Sequence, residues 1–104
     1  MRALVVLTTT PDVRSARKLA RHLVEKKLAA CVSFREGFES VYRWKGKLER
    51  SSEVLLLVKT SQVCLARLQK AISKNHPYEI PEFLAIPVSR GSGSYLGWLE
   101  DSLK

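Results

Sequence analysis

The chain begins with a short, continuous, largely β-branched apolar run from Ala3 to Leu7, the pattern of a buried strand. Thr10, Pro11 and Asp12 then provide a helix start, with a capping hydroxyl, a proline suited to the first turn and an early acid. Ala16, Leu19, Ala20, Leu23, Val24 and Leu28 follow at i, i+3, i+4, i+7 spacing, while Arg17, Lys18, Arg21, His22 and Glu25 take the other side. This predicts an amphipathic helix. From Ala29 the pattern turns extended, is interrupted at Glu36-Gly37 and resumes from Phe38 to Trp44, which predicts a long strand bent at the glycine. Lys45-Gly46 supplies hairpin chemistry, and the return strand ends in the unbroken apolar run Val54 to Val58, which predicts burial on both faces.

A second helix is predicted after Ser61 as its cap, with Cys64, Leu65, Leu68, Ala71 and Ile72 in one stripe and Asn75-His76-Pro77 at its end. Glu82 to Ile86 reads as a last strand between Pro81 and Pro87, and proline's missing donor places it at or near a sheet edge. After a Gly/Ser-rich loop, Tyr95, Leu96, Trp98, Leu99 and Leu103 form a short amphipathic helix.

The β-α-β-β-α-β order predicts an α+β ferredoxin-like sandwich, with both long helices on one face of an antiparallel sheet. The other face would then be open, although Ala3–Leu7 and Val54–Val58 are apolar at consecutive positions. Such a face calls for a cover, and a closed homo-oligomer is the economical one. The hairpin from Phe38 to Glu53, with Tyr42 and Trp44 near its tip, either embraces a neighbouring subunit or roofs its own chain.

At 104 residues and 45% hydrophobic content, residues 1–104 are expected to form a single domain with one modest core. The formal charge of +8 favours nucleic acid, anionic ligands or acidic partners, but the cations are spread along the chain, as on a solvated basic exterior. Cys31 and Cys64 are too few for a disulfide scaffold. The first strand lacks a signal-peptide cleavage site and no apolar run approaches the ~20 residues of a membrane span, so a soluble, cytoplasmic protein is expected.

Enzyme chemistry has little to stand on. Only His22 and His76 are available as bases, and no phosphate-binding loop, dinucleotide fingerprint or metalloprotease motif occurs. His22 lies on a polar helix face, and Cys31 and Cys64 read as buried small residues. His76, with Cys31, Cys64 or a nearby carboxylate, is the candidate ligand for copper or zinc, although no local spacing builds a site, and a histidine before proline also suits closure of a helix end. Tyr42, Arg43, Trp44 and Lys45 interleave aromatic with basic side chains as nucleic-acid binders do, but the central strand carries Val54–Val58 where stacking rings are needed.

In five segments, Leu28–Val32, Ser40–Lys47, Val58–Thr60, His76–Glu82 and Tyr95–Leu99, the chain resembles the CutA family of divalent-cation tolerance proteins. The resemblance covers nearly the whole chain. It implies a homotrimer similar in architecture to the P-II signalling proteins, with sheet faces packed inside the trimer and a role in tolerance of divalent metals, copper in particular. Some relatives offer a first-strand Cys and a His-His pair before Pro-Tyr as copper ligands; here those positions hold Thr8, Asn75 and His76, so only the histidine is kept. The resemblance further implies an inter-subunit ligand cleft formed by Tyr42, Trp44, Lys59, His76, Tyr78, Glu82, Tyr95 and Trp98. The alternatives are a P-II-like regulator or scaffold that takes an anionic small molecule or a partner protein at that cleft, and a nucleic-acid binder.

Overall fold

The computed structural model describes residues 1–104. The first strand, β1 (Ala3–Thr10), runs three residues past its apolar start, because Thr8, Thr9 and Thr10 are β-branched and pair with Leu56, Leu55 and Val54. Helix α1 (Val13–Glu25) is capped by the carboxylate of Asp12, which accepts from the Ser15 amide at 2.7 Å and holds its own pKa below the usual carboxylate range. The expected cap, Thr10, instead donates its hydroxyl to the Asp12 carbonyl at 3.0 Å. Lys27 adopts a left-handed φ of 58° and ends the helix, after which the amides of Leu28 and Ala29 both return to the Leu23 carbonyl. Leu28 is therefore buried from outside the helix. Val24, expected in the core stripe, is exposed, since it lies about 100° around the helix from buried Leu23.

Strand β2 (Cys31–Trp44) is bent as expected: its register with β3 (Lys47–Ser61) jumps from Arg35↔Leu55 to Phe38↔Glu53. Glu36 and Gly37 form the bulge, with Gly37 at φ 96°. Lys45 and Gly46 both take positive φ, 50° and 80°, the requirement of a two-residue type I′ hairpin turn. The hairpin draws the molecule out to 44 × 25 × 23 Å.

A 3₁₀ turn (Gln62–Cys64) leads into α2 (Leu65–Asn75). Ser61 stands before that turn but makes no capping bond; its hydroxyl is directed at Cys64 Sγ, 3.9 Å away. Strand β4 (Leu84–Pro87) starts later than its sequence pattern suggested and pairs only with β1, at the sheet edge as expected. Helix α3 (Gly93–Ser102) is capped by the Ser92 hydroxyl, and its Leu99 is buried with Ala3 and Ala30.

The four strands form an antiparallel sheet in the order β2-β3-β1-β4, the ferredoxin-like arrangement. Val6, Val54, Leu56 and Val58 meet Leu19, Leu23, Leu68 and Ile72 in the core, so α1 and α2 cover one sheet face. Side chains alternate along a strand, and the odd-numbered residues of β1 and β3 turn to the other side. There Leu7 stands between Leu57 and Leu84, and Val5 between Lys59 and Ile86. Burial of the Val54–Val58 run is thus complete on one face only: Leu56 is fully buried, while its neighbour Leu57 is 37% exposed.

Candidate functional site

The long hairpin and the segment that leaves α2 enclose a cleft of about 590 Å³. One wall is the hairpin, with Ser40, Val41, Tyr42, Trp44 and Glu53; the other is the Tyr78–Glu82 segment, and Thr9 lies between them. Two contacts hold this geometry. His76, at the C-terminal boundary of α2, bonds through Nε2 to the Thr9 carbonyl at 2.6 Å, and its Nδ1 accepts from the Tyr78 amide at 3.0 Å. Those partners define the neutral tautomer with the proton on Nε2. The imidazole fastens the chain after α2 onto β1, and its ring lies 4.9 Å from that of Tyr78. It does not close the helix end; the Asn75 side chain does that, donating to the Ala71 carbonyl at 2.7 Å.

The second contact crosses the cleft, where the Tyr78 hydroxyl donates to Glu53 Oε2 at 3.0 Å. Desolvation first, then the hydrogen bond to Glu53 and its negative charge, push the Tyr78 phenol up to about 12. Glu53 itself is only 9% exposed, and no lysine, arginine or histidine forms an ion pair with it. Its Oε1 has no hydrogen-bond partner in the chain.

The expected cleft residues separate into three places. Tyr42, Trp44, Tyr78 and Glu82 line the cleft together, and His76 supports it from behind. Lys59 lies on the same sheet face as Glu53 but six residues further along β3, its ammonium 2.7 Å from Ser33 Oγ and 3.6 Å from Cys31 Sγ. Tyr95 and Trp98 form a pair on α3 with ring centroids 5.4 Å apart. Glu53 was missed as a site residue, although a carboxylate beside a buried apolar run is a signal in its own right. Within one chain, Glu53, Glu79 and Glu82 and no lysine or arginine line the cleft.

The candidate metal ligands do not converge within one chain. Both His76 nitrogens are engaged, Cys31 is next to an ammonium, and the Asn75 amide serves α2. The Thr8 hydroxyl is fully buried without a partner. No three His, Cys, Asp or Glu side chains come together as a metal-holding group.

A sheet covered by helices on one side, open on the other and extended by a long hairpin defines a ferredoxin-like α+β protein with a cleft beside its arm. Residues 4–102 match the family model of the CutA1 divalent ion tolerance protein, and the chain belongs to that family. It is 43% identical over 98 residues to the divalent-cation tolerance protein CutA of Thermus thermophilus, covering 94% of this chain and 95% of the relative. It is 44% identical over 102 residues to the chloroplastic protein CutA of Arabidopsis thaliana, covering 98% of this chain but only 56% of that protein. The crystal structure of CutA1 from Oryza sativa superposes with a TM-score of 0.97 at 38% identity, covering 100% of this chain and 95% of the rice chain.

Proposed function

We propose that this chain is a homotrimeric, single-domain CutA protein that binds divalent metal and takes part in the response to it, without enzymatic activity, in the cytoplasm. The observation that carries the assembly is the open sheet face. Leu57, Leu84 and Ile86 are 37%, 56% and 46% exposed there, next to Leu7 and Val5 in register. Burying such a face contributes about 25 cal/mol per Å² of apolar area, which favours a self-complementary oligomer. Three copies is the number that the family resemblance implies.

The metal role rests on the family, whose members' names carry divalent-cation tolerance. Because one chain gathers no three-ligand group, a copper or zinc site requires side chains from adjacent copies. The free thiols of Cys31 and Cys64 agree with a reducing compartment, and no helix is long and apolar enough to cross a membrane. The acidic cleft does not favour the anionic-ligand alternative, and the aliphatic centre of the open face does not favour nucleic acid.

Light scattering tests the assembly, with a trimer mass expected and a stable monomer at micromolar concentration overturning it. Calorimetric titration with Cu(II) and Zn(II) tests the metal role, on the native chain and on His76→Ala. Heat from the native protein with weaker affinity in the variant is expected, and no heat from either ion removes the metal reading.

A further inference from the structure

We infer that the cleft beside the hairpin binds an organic ammonium ion, an amine or polyamine with a hydrocarbon body. This goes beyond the metal reading, and it rests on the proposed assembly leaving this cleft, which opens on the same side of the sheet as Leu57, accessible to a ligand. The first observation is Glu53: a carboxylate nine-tenths buried, facing a cleft, with one oxygen on Tyr78 and no cation of its own chain. A buried charge is costly unless it is paired, and here its position directs the pairing toward whatever occupies the cleft.

The second observation is the remainder of the lining. Tyr42, Trp44 and Tyr78 supply aromatic surface, Glu79 and Glu82 add negative charge, and Ile80 adds an apolar contact. Aromatic faces attract cations through the ring quadrupole, most strongly when the cation is organic and weakly hydrated. Trp44 shows this within its own chain, with the Lys45 ammonium 5.8 Å from its ring centroid. A chain of charge +8 that lines one cleft with three carboxylates and no basic side chain favours positive ligands there.

A compact divalent ion fits less well, because it needs several oxygens within about 2.0–2.6 Å and the carboxylates form no such cluster. A volume of about 590 Å³ accommodates a molecule much larger than a bare ion. The ammonium end would meet Glu53 while the hydrocarbon part lies on Tyr42, Trp44 and Ile80.

The test is calorimetric titration of the full chain in its native assembly with spermidine and with tetramethylammonium, with citrate as the anionic control. One saturable site per chain is expected for the ammonium ligands and none for citrate. Glu53→Gln and Trp44→Ala should each weaken spermidine by about tenfold or more, and Lys70→Met, on the exposed side of α2 and away from the sheet face, should leave it unchanged. Circular dichroism and mass on each sample separate loss of the site from loss of fold or assembly; if Glu53→Gln fails to fold, Trp44→Ala and Glu82→Gln decide. The inference is overturned if neither ammonium binds up to about 10 mM, as when a neighbouring copy's lysine or arginine fills the cleft. Spermidine affinity that survives both Glu53→Gln and Trp44→Ala, or saturation by Zn(II) alone, overturns it as well.

Discussion

The hydroxyl of Tyr78 donates to Glu53 Oε2 at 3.0 Å, joining the segment after α2 to the long hairpin across 25 residues of sequence. This single bond partners the buried carboxylate and links the two walls of the cleft. Tyr78→Phe should therefore cost about 1–3 kcal/mol of stability at neutral pH, the penalty for leaving a buried polar group unpaired, measured by urea denaturation.

The same contact sets a pH dependence at the alkaline end. The folded-state pKa of Tyr78 is raised from 10.0 to about 12, so its contribution is fully present below pH 10.0 and is lost as pH rises through about 12. Unfolding curves collected across that window should show native stability falling more steeply than that of Tyr78→Phe. Tyrosinate absorbance of the native protein should show one phenol titrating late.

His76 acts as a clasp within the chain, whatever it does with metal. His76→Ala removes the 2.6 Å bond to the Thr9 carbonyl and the acceptor for the Tyr78 amide. The expected loss is about 1–3 kcal/mol, and hydrogen exchange at the Tyr78 amide should accelerate more than exchange in the core strands.

The hairpin turn separates two effects of backbone conformation. Gly46 has φ 80° and open space where a Cβ would stand, so Gly46→Ala should cost about 1 kcal/mol through the left-handed backbone alone. Lys45 has φ 50°, a conformation asparagine tolerates better, and Lys45→Asn should raise stability by a few tenths to about 1 kcal/mol. Thermal unfolding of both variants checks the opposite signs.

On the open sheet face, Leu57→Glu should reduce the mass in solution, because a carboxylate would be forced against the apolar surface of a neighbouring copy. Val63→Glu is the control: Val63 is 83% exposed at the 3₁₀ turn before α2, and its replacement should leave the mass unchanged. Light scattering distinguishes the two.

Much of this architecture is legible in the chain's local patterns. The helix stripe Ala16, Leu19, Ala20 and Leu23, the bulge at Gly37, the turn at Lys45-Gly46 and the edge position of the strand before Pro87 follow from periodicity and backbone chemistry. The departures are also local in origin. Asp12 and Thr10 can both cap a helix, and which does so depends on where β1 releases the chain. Leu28 fits the helical period, yet a left-handed Lys27 takes it out of the helix and leaves it in the core.

By itself, then, the sequence determined the order of elements, the existence of a greasy two-sided sheet and the family resemblance, since each is encoded in spacings of a few residues. The cleft was decided only in three dimensions. Six positions along β3 separate Glu53 from Lys59, about 20 Å at a rise of ~3.3 Å per residue, so they cannot share a pocket within one chain. Tyr78 reaches Glu53 because α2 returns the chain to the end of β1, where His76 grips Thr9. Contacts of that kind depend on where strands are laid side by side, and no local pattern records it.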